Sequence, residues 1–190
     1  MRPPRLAALL GLLLLTGPSP GLAQRGAPGA AVQVSSPPPE GSSPPARIEG
    51  LRRYGRTLTQ ARRFEEAIRA YQRLLGFVPG DPEALGQLAQ LQAWVGRYDE
   101  AIVHYREALA RRPGDPALLS DLADTLTWAK RLEEAERLYD QVLAVRPDHH
   151  EALKGLARAR LLRGDVDGAA PVLERALRLH PRDVDLYREQ

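Results

Sequence analysis

The chain repeats itself, and that constrains its fold more than any other feature. From Pro45 onward proline recurs at residues 79, 113, 147 and 181, alanine at 67, 101, 135 and 169, and a bulky side chain at Tyr71, Tyr105, Tyr139 and Leu173, each series stepping by 34 residues. A period of that length marks an array of supersecondary units, none of which can bury its apolar face alone. Stacked side by side, such units close a common core.

Each unit predicts two amphipathic helices. In the third, Leu119, Leu122, Ala123 and Leu126 form one stripe and Leu132, Ala135, Leu138, Tyr139 and Val142 a second, with spacings of three and four that share one side of a 3.6-residue helix. The links between units, PGDP twice, PDHH and PRDV, start helices. Asp81 and Asp115 are predicted N-caps, and Pro82 and Pro116 fit a first turn whose N–H is unpaired in any case. Second helices open with acids, Glu65–Glu66, Asp99–Glu100 and Glu133–Glu134, and end near Arg111–Arg112, Arg146 and Arg178, which suits the helix dipole. Gly96 and Gly164 fall where a first helix stops.

The order of residue types resembles the tetratricopeptide repeat (TPR) family. Its pattern of apolar, small and bulky residues, then alanine, aromatic and proline, stands here as Leu51, Tyr54, Gly55, Leu58, Ala67, Tyr71 and Pro79. It recurs as Leu85, Leu88, Ala89, Ala101, Tyr105 and Pro113, as Leu119, Leu122, Ala123, Leu126, Ala135, Tyr139 and Pro147, and as Leu153, Leu156, Ala157, Ala169, Leu173 and Pro181. The resemblance implies an all-α, right-handed α-solenoid of about four helix-turn-helix repeats, 48–81, 82–115, 116–149 and 150–183, with residues 184–190 starting a fifth. Those last residues are too few for an independent helix; they either cap the fourth unit or begin a longer array. Departures are Gln92 and Arg160, where the family prefers a bulky residue, and Pro171, which delays the last second helix or removes a hydrogen bond from it.

The first 45 residues have a different composition and hold ten of the 17 prolines. Arg2 and Arg5, an apolar run from Leu6 to Leu15, and small Gly21 and Ala23 have the layout of a secretory signal peptide, residues 1–23, cut before Gln24. The run falls short of the roughly 20 residues that span a bilayer, so no transmembrane segment is expected in the mature chain. Residues 24–45 contain two valines, no leucine and no aromatic, and predict a disordered linker ahead of a repeat domain at 46–190. An exported protein, periplasmic or secreted from a bacterium, is expected. It contains no cysteine, so an apolar core rather than disulfides must hold it. Removing Arg2 and Arg5 leaves 25 basic against 24 acidic residues, which withdraws electrostatic support for a nucleic-acid partner.

Catalysis finds little raw material. Of His104, His149, His150 and His180 none pairs with another ligand at helical spacing, and Ser120 is the only serine after residue 43, so neither a metal site, a cofactor nor a nucleophile is expected. Binding is what the resemblance implies, to a protein or peptide in a concave groove lined by first helices. Trp94 and Trp128, 34 residues apart, point away from their own core stripes. They either fill junctions, Trp94 over unit three and Trp128 over unit four, or present two flat indoles to a ligand. Same-face candidates are Arg52 and Arg56, Gln87 and Gln90, Asp121 and Asp124, and Lys154 and Arg158, beside Gln60 and Ser120. They do not match the Lys/Asn clamp of chaperone-binding TPR domains, since Ala117 and Asp121 stand in basic places of that clamp. The stretch AWVGRYDEA is similar to repeats in the periplasmic arms of outer-membrane polysaccharide-export proteins, and that likeness implies a glycan as the alternative partner.

Overall fold

The computed structural model describes residues 34–179. The expected signal peptide, most of the linker and the start of a fifth repeat lie outside them. The described residues contain eight α-helices and no strand: α1 (Pro44–Gln60), α2 (Phe64–Phe77), α3 (Pro82–Trp94), α4 (Tyr98–Arg111), α5 (Pro116–Trp128), α6 (Leu132–Val145), α7 (His150–Arg163) and α8 (Val166–Leu179). They follow the predicted period as four helical hairpins. None is long and apolar enough to cross a membrane. Helix α1 starts at Pro44, inside the expected linker, and Val34, Ser35 and Pro38 pack on it or on its core cluster.

The helices start and stop for local reasons. Asp81 Oδ1 accepts the N–H groups of Glu83 and Ala84, both at 3.0 Å, and Asp115 Oδ1 accepts those of Ala117 at 3.0 Å and Leu118 at 3.4 Å. These bonds satisfy donors that a helix start leaves without partners. In the fourth repeat His149 takes over as cap, its Nδ1 accepting from Ala152 N–H at 3.2 Å. This histidine is a structural device, and its role requires the ring proton on Nε2. At the hairpin turns the chain passes through left-handed backbone at Gly96 (φ 83°) and Gly164 (φ 89°), and also at Arg62 (φ 59°) and Lys130 (φ 62°). The same position of all four repeats needs positive φ, and only two of them supply glycine.

The chain divides into two compact units, with the boundary inside α5 at Leu118. In the first, Leu51, Leu58, Ala67, Tyr71, Leu74 and Leu88 belong to one buried cluster that joins α1, α2 and α3. In the second, Ala157, Leu161, Ala169 and Leu173 form a cluster between α7 and α8. Ala67, Ala101, Ala135 and Ala169 are all wholly buried, because a methyl group is what lets the two helices of a hairpin approach.

Two departures from the family pattern have polar partners that compensate for them. Gln92, 1% exposed, donates from Nε2 to Glu100 Oε2 at 2.7 Å and lies 2.7 Å through Oε1 from His104 Nδ1. Arg160 donates to the carbonyl oxygen of Gly168 at 3.0 Å and faces Glu136, which also holds Arg163 at 2.7 Å. Pro171 sits inside α8, which nonetheless starts at Val166. The helix is therefore not delayed, and the cost is the hydrogen bond that the Pro171 nitrogen cannot donate.

Candidate functional site

In the first unit the candidates stand on α1 and α3. Arg52 is already committed: its Nη2 lies 2.6 Å from Asp81 Oδ2 and its Nη1 2.9 Å from Glu83 Oε2, and it is 17% exposed. It therefore clamps the first repeat to the cap of the second. Burial pushes the Asp81 carboxyl up, but the N–H of Ala84, the Arg52 guanidinium and the N–H of Glu83 together hold it below the ordinary range. Arg56 is exposed, 3.7 Å from Glu49. Gln87 and Gln90 are half-buried on α3, and neither side chain has a hydrogen bond among the described residues.

Trp94 is 38% exposed, its ring centroid 5.4 Å from that of Phe64 and tilted by 57°. That ring contact is with Phe64, the first residue of α2 in the preceding repeat. The reason is topological. Helices α1 and α3 run the same way, so the end of α3 lies level with the turn where α1 gives way to α2. Arg97 bridges the same junction to Glu65 at 2.9 Å.

In the second unit two of the candidates, Asp124 and Arg158, bind each other. Asp124 accepts from the Tyr139 hydroxyl at 2.7 Å and pairs with Arg158 Nη2 at 2.5 Å, joining α5, α6 and α7. Burial raises the Asp124 carboxyl above the usual aspartate range, against the pull of Arg158 and of the Tyr139 hydrogen bond. Burial likewise lifts the Tyr139 hydroxyl above the phenolic range, so it remains a protonated donor. The ring reaches across α7 only because residue 155 is glycine: a Cβ there would come within 2.4 Å of Tyr139 Cζ. Sequence reading missed Gly155 and the tyrosine's partner; an interior glycine in a helix was the available signal. Lys154 is 3.5 Å from Glu151, and Asp121 and Trp128 are half-buried on α5.

Among the described residues no three His, Cys, Asp or Glu side chains gather as metal ligands. An open hollow of about 530 Å³ lies elsewhere, lined by Val145, Arg146, Pro147, Asp148, His149 and Leu179.

Two family models, each described as tetratricopeptide repeat, match residues 52–116 and residues 95–159 and 129–189. The chain belongs to the tetratricopeptide repeat family. No curated protein matches it. Among solved structures it is similar to a crystal structure of MamA protein, at 18% identity and a TM-score of 0.67 over 74% of this chain and 77% of that one. It is also similar to MamA from Desulfovibrio magneticus RS-1, at 16% identity and a TM-score of 0.68 over 71% of this chain and 76% of that one. A Thermobaculum terrenum O-GlcNAc transferase variant matches at 28% identity and a TM-score of 0.57, over 63% of this chain but 23% of that one. These TPR hairpins share the fold of all three.

Proposed function

We propose that the chain is an exported, non-catalytic scaffold that holds a protein or peptide segment against the first helices of its TPR hairpins. One observation carries the reading: on α1 and α3 the exposed Arg56, 3.7 Å from Glu49, and the half-buried Gln87 and Gln90 lie with the exposed Trp94 at the end of α3, while Arg52, Thr57, Thr59 and Gln92 of the same helices are tied into the fold. Amides without internal partners suit an extended backbone, which needs both donors and acceptors. Arg56 favours an acidic or C-terminal group in the ligand. In the second unit Lys154 is the counterpart, because Asp124 and Arg158 neutralise each other.

The test compares wild type with Arg56→Glu/Gln90→Lys, a variant that leaves the buried pairs intact. A peptide or protein recovered by wild type from a periplasmic or culture extract should lose at least about tenfold in affinity, one such charge reversal being worth ~1.4 kcal/mol or more. Equal binding by the variant refutes this face as the site. Export rests on the N-terminal pattern alone, and mass spectrometry of the secreted chain should find Gln24 first; retention of Met1 defeats it.

A glycan is the second reading, favoured by the indole of Trp94, which lies exposed over Phe64. Sugar faces stack on such rings. Titration with oligosaccharides should then quench tryptophan fluorescence in wild type and less in Trp94→Ala. A flat response to the whole series removes this alternative.

A further inference from the structure

The first repeat lacks what covers the second and the fourth. In α3 the stripe Ala84, Leu88 and Leu91 is buried against α2, and in α7 the equivalent Ala152, Leu156 and Ala159 are buried too. The corresponding residues of α1 are Gly50, Tyr54 and Thr57, all half-buried, and among the described residues no helix precedes them. Residues 34–39 lie there instead, without helix or strand. Val34 packs against the core cluster of α1, α2 and α3. The Ser35 Oγ is 3.1 Å from Thr57 Oγ1, which itself donates to the Tyr54 carbonyl at 2.9 Å, so Ser35 is the donor to Thr57. The Pro38 ring rests on Gly50, where a Cβ would come within 2.7 Å of Pro38 Cβ.

The two anchors are in register. From Ser35 to Pro38 an extended chain advances about 10 Å, and from Thr57 back to Gly50 a helix advances about 10.5 Å. The segment therefore runs antiparallel along α1. Ser42 N–H then donates to the Pro39 carbonyl at 3.1 Å, in the turn that leads into α1 at Pro44. Residue types agree with this course. Pro37, Pro38 and Pro39 preset an extended backbone and carry no N–H that needs a partner. Gly50 is a poor helix former, yet it alone leaves room for the proline ring, and Thr57 supplies a hydroxyl where α3 has leucine.

We propose that Val34–Pro38 is the N-terminal cap of the array. This extended segment occupies the place that a preceding second helix takes on the second and fourth repeats, and it closes that edge to a second copy of the chain. The repeat domain therefore begins before Pro45, with the end of the proline-rich stretch as a working part of it.

The absence of cysteine permits a direct test in the full chain. The double variant Ser35→Cys/Thr57→Cys should form an intramolecular disulfide in most molecules on mild oxidation at low concentration, while Ser35→Cys/Glu107→Cys should not. A separate variant, Val34→Asp, should speed amide exchange in α1 about threefold or more, leave α7 unchanged, and produce higher oligomers in light scattering. Two reactive but unlinked thiols in the first pair overturn the proposal. So does unchanged exchange of α1 in Val34→Asp.

Discussion

Tyr71 and Tyr139 occupy the same place in their repeats and differ in one bond. Both rings are 1% exposed, but the Tyr71 hydroxyl is buried with no acceptor, whereas that of Tyr139 donates to Asp124 at 2.7 Å. A buried polar group without a partner costs stability, and a bond to a charged acceptor adds it. Tyr71→Phe should therefore be neutral or slightly stabilising, and Tyr139→Phe should cost about 1–2 kcal/mol, both measured by urea denaturation. Asp81 supplies a test of sign. Its folded pKa is depressed, so its contribution is present above the unfolded value of about 3.9 and lost as pH falls through the folded one. Asn caps nearly as well as Asp, so Asp81→Asn isolates the bond to Arg52. It should cost about 1 kcal/mol at neutral pH, and the gap between variant and wild type should close below about pH 4.

At the scale of the element, the hairpin turn and the last helix each carry a cost. Arg62 and Lys130 hold a backbone conformation that a side chain opposes by about 1 kcal/mol, and both are exposed, so little packing offsets it. Lys130→Gly should accordingly stabilise by about 0.5–1 kcal/mol, read as a raised thermal midpoint. The same change at Gly96 or Gly164 in reverse, to alanine, should destabilise. Pro171 is exposed within α8. Pro171→Ala restores a hydrogen bond to the Asp167 carbonyl and should add about 1–3 kcal/mol, with slower exchange across α8. A loss of stability instead would mean that the proline ring itself contributes to holding α8 in place.

On the scale of the whole molecule, stability in a repeat protein is a sum of units and of their contacts with neighbours. The four wholly buried alanines, Ala67, Ala101, Ala135 and Ala169, test this with one substitution. Each change to leucine overfills a hairpin and should cost about 1–3 kcal/mol. For Ala67→Leu the loss of exchange protection should concentrate in α1 to α3, and for Ala169→Leu in α7 and α8. Uniform loss across all eight helices would contradict the local picture. The two units carry different surface chemistry: the first keeps Arg56, Gln87 and Gln90 available, and the second spends Asp124 and Arg158 on each other.

The 34-residue step was enough, with no coordinates, to settle the helices, their caps at Asp81 and Asp115, and the buried stripe of each, because these depend on neighbours within one hairpin. Gly96 and Gly164 announced the turn, but Arg62 and Lys130 could not, since nothing local to them prefers positive φ. Only the tertiary structure decided which polar side chains remain for a ligand. The pairs Asp124 with Arg158, Arg52 with Asp81 and Ser35 with Thr57 join residues 22 to 34 apart, and they form where stacked hairpins bring unrelated stretches together. A periodic pattern specifies what each hairpin buries; which charges meet across the seam depends on side-chain reach and packing that the period does not encode.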